Sequence, residues 1–338
     1  MRDISTKLLR SKTDNGTISD ALRLRQMKTQ HAIARTGKIL QFNSAQVHIL
    51  ESGNVTGRPV VVLHGCGSLA QEVLLPFENS THRLIAVDRP GYGHSTPLPE
   101  GERGGFGQSV WLEHLFGFLD IRNVVIVAHS IGCAPALHLA ARRPDLLSGL
   151  LLISPCCRPV PFKPLIMLRA ASAPMIGAVF YQQVISRWPG YFVERGLQAS
   201  SYPNPVPATL ANLPAPHLLN PISIRSMADE LRVFNTDMQS LTTLPADLPI
   251  SVLFGLADKI IDPAWHLEWI RGKHPAPTIK LLNGVGHMPH HIAPDFARTM
   301  LSDLVSVADT GSGIRPLDIA SIGGKRAHAG FRQQLTAG

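Results

Sequence analysis

The sequence predicts an α/β fold in which a mostly parallel central sheet is flanked by helices and carries an inserted helical cap. Three observations support this class. Seven short apolar runs are bounded by turn residues, four longer helical patterns lie between them, and the alternation stops once, between Pro155 and Pro249. Strands that alternate with helices form right-handed crossover units, and the strands of such units are parallel.

The predicted strands are runs rich in β-branched residues or leucine. Most are continuously apolar rather than alternating, which is typical of strands covered on both faces. The strands span residues 47–51, 59–63, 83–87, 123–128, 149–153, 250–254 and 278–282. The helical patterns span residues 108–120, 130–142, 263–273 and 294–307. Together they predict a buried sheet between two helical layers.

Residues 155–248 contain no clear strand, and eleven prolines fall between Pro159 and Pro221. Apolar helical pieces lie among these prolines, at residues 165–169 and 175–185. The segment also holds aromatic side chains that require burial, namely Phe162, Phe180, Tyr181, Trp188, Tyr191 and Phe192. We therefore predict a mostly helical cap over the strand ends. The alternative is a long disordered loop.

These patterns divide the chain into a basic N-terminal helical arm at 1–38, an α/β core at 39–154 and 249–307, the cap at 155–248, and a flexible C-terminal tail at 308–338. The formal charge of +8 comes from the two ends, because the arm carries +6 and the tail +2. A neutral core does not support a groove for a polyanion, so no nucleic-acid partner is predicted.

We expect the N-terminal arm to pack on the domain. The alternatives for the arm are contact with a membrane surface or organelle targeting.

The cysteines are Cys66, Cys133, Cys156 and Cys157, and none of them forms a CxxC pair. This spacing favours neither a disulfide framework nor a zinc site, so free thiols are expected. Free thiols suit a reducing compartment, and the N-terminus lacks the apolar run of a secretory signal. We therefore predict a cytoplasmic protein.

The clearest chemical motif is a serine between an apolar run and an Ala-rich helical pattern, in the segment Ala128-His129-Ser130-Ile131-Gly132. Small residues two positions before and after the serine let a strand and a helix approach closely around a strained turn. The segment resembles the nucleophile elbow G-x-S-x-G of the α/β hydrolases, with Ala128 in place of the first glycine. The resemblance implies that Ser130 is a nucleophile.

Two further segments match loops of the same family. Val60-Val-Leu-His-Gly-Cys-Gly67 resembles the oxyanion loop, and this resemblance implies that the backbone N–H groups of Cys66 and Ile131 stabilise the oxyanion. The Cys66 side chain is then a bystander. The turn Asp88-Arg-Pro-Gly-Tyr-Gly-His-Ser95 resembles the family's D-x-P-G-x-G-x-S loop, in which Asp88 has a structural role.

The acid and the base are expected after the serine, in that order. Asp258 follows the strand at 250–254 and a glycine, and His287 follows the strand at 278–282 and a glycine turn. Both match the family's positions. Asp262 is the competing acid, but it precedes Pro263 at a helix start and better fits an N-cap. His290 and His291 lie near His287, yet their spacing does not favour a metal site, and no metal or cofactor is predicted.

The resemblance covers residues 37–308 and implies a Ser130–His287–Asp258 triad that works through an acyl-enzyme. Related dehalogenases and epoxide hydrolases use aspartate as the nucleophile, so the serine argues against both activities. We expect hydrolysis of a small or medium hydrophobic ester, lactone or related carbonyl compound. The alternatives are a cofactor-free haloperoxidase-like or C–C bond hydrolase, and a non-catalytic ligand-binding protein of the same fold.

Overall fold

One eight-stranded sheet organises the chain. The computed structural model describes residues 37–42, 44–78, 80–160, 176–210 and 213–310. The strands are β1 (Lys38–Phe42), β2 (Ala45–Gly53), β3 (Pro59–Leu63), β4 (Arg83–Val87), β5 (Val124–His129), β6 (Leu147–Ile153), β7 (Ile250–Gly255) and β8 (Thr278–Leu282). Their order across the sheet is β1-β2-β4-β3-β5-β6-β7-β8.

The mostly parallel sheet predicted from the sequence is confirmed. From β4 to β8 all neighbouring strands are parallel, whereas β2 pairs antiparallel with both β1 and β4. The sequence patterns did not predict β1, which is a short edge strand with a single buried residue, Phe42. Backbone pairing with β2 holds this strand in place, and that pairing leaves no apolar pattern in the sequence.

Helices connect the strands and cover both faces of the sheet. They are α1 (Ala70–Leu74), α2 (Gly105–Phe118), α3 (Cys133–Arg142), α4 (Ile176–Gln183), α5 (Pro189–Ser201), α6 (Ala215–Leu218), α7 (Pro221–Ser240), α8 (Pro263–Lys273), α9 (Pro289–Ile292) and α10 (Pro294–Thr310). One apolar core lies between the sheet and α2, α3 and α8. A second core, on the opposite face, lies between the sheet and helices α1 and α10. The two layers exclude water from both faces of the parallel strands.

The described residues between β6 and β7 form helices α4 to α7 and no strand. The longest helix, α7, begins with Pro221 after Asn220, whose side chain accepts a hydrogen bond from the Ser223 N–H at 2.9 Å. A small apolar cluster joins this segment to the loops at the strand ends through Leu69, Leu210, Leu213, Leu218 and Met288. These helices therefore lie over the carboxyl edge of the sheet. The predicted N-terminal arm up to residue 36, part of the predicted cap at 161–175 and the tail from residue 311 lie outside the described residues.

None of the helices in the described ranges combines the length and the apolar character that crossing a bilayer requires.

Three buried histidines in this fold are held neutral. Burial lowers the pKa of His64 to about 3 and that of His290 to about 4. Burial likewise lowers the pKa of His266 to about 4, and its Nδ1 accepts the N–H groups of Cys157 and Arg158, both at 3.1 Å. The unfolded chain binds these protons near pH 6.5, whereas the folded chain does not. Above pH 6.5 the three histidines are neutral in both states and do not destabilise the fold. As the pH falls from 6.5 towards 4, protonation of the unfolded chain lowers the free energy of unfolding.

We predict that the free energy of unfolding decreases steeply between pH 6.5 and pH 4, by up to about 1.4 kcal/mol per pH unit for each histidine. Urea unfolding at a series of pH values measures this slope. In His266→Asn, the amide oxygen replaces the Nδ1 acceptor without titrating. Unfolding then binds about one proton fewer, so the slope of the free energy of unfolding against pH should decrease by up to about 1.4 kcal/mol per pH unit. An unchanged slope in that variant would show that His266 is protonated in the folded state.

Candidate active site

Ser130 lies at the carboxyl end of β5, where the chain turns from strand into helix. Its φ of 55° is in the left-handed region, which residues with a side chain rarely adopt. The turn is tightly packed. A Cβ atom at Gly132 would lie 2.4 Å from the His64 carbonyl oxygen, and one at Gly65 would lie 3.1 Å from the Ser130 Cβ. Ala128 is fully buried, so its methyl group fits where the motif usually has glycine.

The three residues predicted as a triad lie together. The His287 Nε2 is 3.0 Å from the Ser130 Oγ, and the His287 Nδ1 is 2.7 Å from the Asp258 Oδ2. The three side chains follow β5, β7 and β8, whose carboxyl ends lie on the same edge because these strands are parallel. All three residues are buried. A carboxylate that accepts from Nδ1–H leaves the Nε2 lone pair facing the serine hydroxyl, which is the arrangement for general-base catalysis.

Backbone groups hold the Asp258 carboxylate in place. Its Oδ1 accepts hydrogen bonds from the Ile260 N–H at 2.8 Å and the Ile261 N–H at 3.1 Å, while its Oδ2 faces His287. Asp262 has a different role. It is exposed, and its side chain caps α8 by accepting from the N–H groups of Ala264 and Trp265 at 2.9 and 3.3 Å. Four residues of separation thus place one aspartate beside the histidine and the other at a helix start.

The loop after β3 brings Cys66 next to Ser130 in the wall of the pocket. Protein atoms surround the Cys66 thiol although the residue is exposed at the pocket surface. This desolvation, together with the nearby Glu230 carboxylate, raises the thiol pKa to about 12. The thiol therefore stays protonated at neutral pH and is a poor nucleophile. Ile131, the other predicted backbone donor, follows Ser130 directly and is buried.

Asp88 holds together the loops beside this site. Its Oδ1 accepts the Ala70 N–H at 2.9 Å, and its Oδ2 accepts the His94 N–H at 3.1 Å and lies 2.7 Å from the His48 Nδ1. Burial alone would raise the pKa of Asp88, but the hydrogen bond and charge of His48 outweigh burial and lower it. Asp88 is thus an ionised carboxylate with bonds to backbone and side chains, and it does not contact Ser130 or His287.

A carboxylate with histidine partners lies in the pocket wall, and the sequence patterns did not predict it. The Glu72 Oε1 lies 3.1 Å from the His290 Nε2 and 2.8 Å from the His291 Nε2, and the Ser68 hydroxyl donates to the Glu72 Oε2 at 2.7 Å. Burial opposes ionisation, but the hydrogen bonds from His290 and His291 outweigh it and lower the pKa of Glu72 well below its usual value. A negative charge is therefore held at this wall.

The ligand atoms of Glu72, His290 and His291 lie within 4.8 Å of one another, a spacing close enough to consider a metal ion. Histidines that bind metals usually donate their second ring N–H to an acceptor. Within the described part of the chain, the buried Nδ1 of His290 has no such partner. Ring N–H donors and the Ser68 hydroxyl, in contrast, give both oxygens of the Glu72 carboxylate a hydrogen-bond partner. The donor set therefore fits a hydrogen-bonded cluster better than a metal site.

A pocket of about 270 Å³ opens beside Ser130 and His287. Its wall is mainly aliphatic and aromatic and comes largely from the segment between β6 and β7, through Phe192, Val193, Leu197, Leu213 and Leu218. Among the described residues, Glu72 is the one carboxylate in the lining, and neither lysine nor arginine contributes to it. An apolar pocket with a few convergent polar groups is the usual form of a small-molecule site.

Comparison with known proteins identifies the family. The sequence profile of the alpha/beta hydrolase family matches residues 60–299, which is more than two thirds of the chain. The chain belongs to the alpha/beta hydrolase family. The fold agrees, because the haloalkane dehalogenase DatA from Agrobacterium tumefaciens superposes with a TM-score of 0.64 at 22% identity, over 80% of this chain and 97% of that one.

Among curated relatives, a haloalkane dehalogenase from Agrobacterium fabrum is 33% identical over 145 residues, or 41% of this hydrolase-family chain and 47% of the relative. A non-heme chloroperoxidase from Kitasatospora aureofaciens is 42% identical over 80 residues, or 22% of this chain and 28% of the relative. The matches thus span less than half the length of these relatives. They support membership of the family and do not identify the reaction.

Two elements of the site had no sequence signal that identified them. Glu72 lies in the short helix α1 and meets the histidines of α9 only through folding. Glu230 lies in α7 and meets Arg89, which lies in the turn that resembles the D-x-P-G-x-G-x-S loop, at a position to which the resemblance assigns no role. Both contacts join residues more than 100 positions apart. Motif spacing does not reveal such pairs.

We predict that Asp258→Asn lowers kcat by roughly 10⁴-fold while Asp262→Asn changes it less than about threefold. The asparagine at 258 cannot stabilise the imidazolium and favours the wrong tautomer, whereas asparagine at 262 remains a good N-cap. Turnover of a nitrophenyl ester measures kcat, and circular dichroism checks the fold of both variants. A larger loss in Asp262→Asn would reverse the assignment of the acid.

Proposed function

We propose that this protein is a serine hydrolase that cleaves a small or medium hydrophobic ester, lactone or related carbonyl compound through an acyl-enzyme. The observation that carries the proposal is the hydrogen-bonded series from Asp258 through His287 to Ser130, which opens on an apolar pocket. The series supplies an activated nucleophile, and the pocket supplies a place for an apolar acyl or alcohol group.

In the proposed reaction, the His287 Nε2 removes the Ser130 hydroxyl proton as the Oγ attacks the carbonyl carbon. The backbone N–H groups of Cys66 and Ile131 stabilise the resulting oxyanion. His287 then donates its proton to the leaving alcohol as the tetrahedral intermediate collapses to the acyl-enzyme. Water, deprotonated by His287, attacks the acyl-enzyme and releases the acid and the free serine. Asp258 keeps its charge throughout and stabilises the imidazolium.

Ser130 also separates this proposal from the reaction named for the dehalogenase relatives. The dehalogenases of the family that this chain resembles use an aspartate as the nucleophile, at the position where this chain has Ser130. A serine that attacks carbon in an alkyl halide would leave a stable ether, which water cannot release. A serine ester, in contrast, is hydrolysed. The nucleophile therefore favours carbonyl substrates over halides.

A protein that only binds ligands would not need an activated serine. We predict that the wild-type chain reacts with a fluorophosphonate and that Ser130→Ala abolishes both this labelling and ester hydrolysis, because the nucleophile is lost. The signal of a fluorescent probe on a gel measures labelling. Ser154→Ala is the matched control, since Ser154 is also buried after a strand but lies outside the hydrogen-bonded series. Labelling that persists in folded Ser130→Ala would refute the proposal.

The pocket sets an expectation for acyl length. Each methylene that enters an apolar site gains up to about 0.8 kcal/mol, or roughly fourfold in kcat/KM. In a series of nitrophenyl esters, kcat/KM should rise with acyl length and then level off when the pocket is full. A flat series would show that the acyl group does not enter this pocket.

The fixed charge of Glu72 sets a second preference. The carboxylate disfavours a substrate that carries its own carboxylate, because no lysine or arginine of the described lining offsets the repulsion. We predict that Glu72→Gln raises kcat/KM for a hemisuccinate ester about tenfold and changes that of the matched neutral ester less than twofold. The glutamine oxygen still accepts from His290 and His291, so the pocket keeps its shape. Equal effects on both esters would exclude a role of the charge in specificity.

A haloperoxidase-like reaction is a second candidate, and the local similarity to a non-heme chloroperoxidase favours it. Bromination of a phenolic indicator in the presence of peroxide and a carboxylic acid would distinguish it from hydrolysis. A C–C bond hydrolase would use the same serine but require a diketone substrate.

We also propose that the protein is located in the cytoplasm, because its four cysteines are free thiols, which suit a reducing compartment.

A further inference from the structure

A buried ion pair joins the segment between β6 and β7 to the core. The Arg89 guanidinium, in the turn after β4, donates to the Glu230 carboxylate in α7, and the two side chains are only 1% and 2% exposed. Removing two charges from water is costly unless both are paired and hydrogen-bonded. Here the Tyr92 hydroxyl donates to the Glu230 Oε2 at 2.7 Å, and the Gln108 amide donates to the Glu230 Oε1 at 3.0 Å.

The remaining donors of Arg89 reach the backbone of the loop after β3. The Nε donates to the His64 carbonyl at 2.8 Å, and the Nη2 donates to the Gly65 carbonyl at 3.1 Å. The His64 Nε2 accepts the Arg89 N–H at 3.0 Å, so the proton of this neutral ring is on Nδ1, which donates to the Gly65 carbonyl at 2.8 Å. Two donors therefore fix the Gly65 carbonyl oxygen.

Fixing this carbonyl also fixes the next N–H group. The peptide bond between Gly65 and Cys66 is trans, so its C=O and N–H point in opposite directions within one plane. The Gly65 oxygen faces the buried guanidinium, and the Cys66 N–H therefore points away from it. Gly65, Cys66 and Ser130 all line the pocket.

We propose that the Arg89–Glu230 pair orients the backbone N–H of Cys66 towards the oxyanion that forms in the reaction. Glu230 belongs to α7, which is part of the segment between β6 and β7. This segment then affects the rate of the chemical step as well as access to the pocket. This inference rests on the proposed function. It adds Arg89, Glu230 and His64 as positioning residues, none of which is among the residues that line the pocket.

The chain offers a matched control one residue away. Asp229, which precedes Glu230 in α7, pairs with Arg103 at 2.5 Å and also links α7 to the core. Arg103 donates to the Leu98 carbonyl at 2.8 Å and not to the loop that holds Gly65. Loss of Asp229 removes a link between the same two parts of the chain but leaves the Cys66 N–H fixed.

The test compares Glu230→Gln with Asp229→Asn in the full-length chain. We expect Glu230→Gln to lower kcat for a nitrophenyl ester by about 100-fold, as for loss of an oxyanion donor, with KM changed less than about twofold. The affinity for a trifluoromethyl ketone, whose adduct with serine carries an oxyanion, should fall by the same factor. Asp229→Asn should leave kcat, KM and this affinity within about twofold of the wild type.

A second variant covers the case in which an unpaired buried Arg89 prevents folding. The double substitution Arg89→Met with Glu230→Leu replaces both charged side chains by apolar ones of similar volume. Proteins often tolerate such a replacement of a buried ion pair. It should fold and still show the loss in kcat and in ketone affinity. Hydrogen exchange of the peptide spanning residues 60–68 gives a readout that needs no activity. Exchange there should increase in both Glu230 variants and not in Asp229→Asn.

Three results would overturn the inference: unchanged exchange at residues 60–68 in the Glu230 variants, equal losses in Glu230→Gln and Asp229→Asn, or a loss confined to KM. Failure of the proposed function looks different, because the wild-type chain would then neither label with a fluorophosphonate nor hydrolyse esters. The exchange experiment would still decide whether the ion pair orders the loop.

Discussion

At the end of β5 the backbone of Ser130 turns through a φ of 55°, a conformation that costs a residue with a Cβ atom about 1–2 kcal/mol. The neighbouring contacts maintain it. A side chain at Gly132 would collide with the His64 carbonyl. The turn that contains Ser130 and the start of α3 therefore pack closely against the loop after β3. This close approach brings the serine hydroxyl within reach of His287 and places the serine next to Cys66. The geometry of the whole site depends on this turn.

Buried charge is the second constraint, and the molecule satisfies it at Asp258, Glu72 and the Arg89–Glu230 pair in the same way as at Asp88. The carboxylate of Asp258 accepts two backbone N–H groups besides facing His287. The Glu72 carboxylate is surrounded by two imidazoles and a hydroxyl. The Arg89–Glu230 pair is completed by a phenol, an amide and backbone carbonyls. A buried ion without such partners would cost several kcal/mol, so each site is stable only when all of its partners are in place.

The segment between β6 and β7 contributes both to the pocket and to the buried charges. Its helix α5 supplies much of the apolar wall, and its helix α7 supplies Glu230. This segment thus forms much of the pocket wall and contacts the turn after β4 through a buried ion pair. The pocket wall and the ion pair that supports the loop after β3 therefore come from different helices of the same segment.

The sequence by itself determined the α/β class, the order of the parallel strands along the chain and the positions of Ser130, Asp258 and His287. Each of these depends on local chemistry, namely apolar runs, small residues around a turn, and a polar residue just after a strand. It also separated Asp258 from Asp262, because Pro263 marks a helix start. The tertiary structure alone decided the pairing of Glu72 with His290 and of Arg89 with Glu230, and the edge strand β1. These depend on contacts between distant segments or on backbone hydrogen bonds, and neither leaves a periodic pattern in the order of the residues.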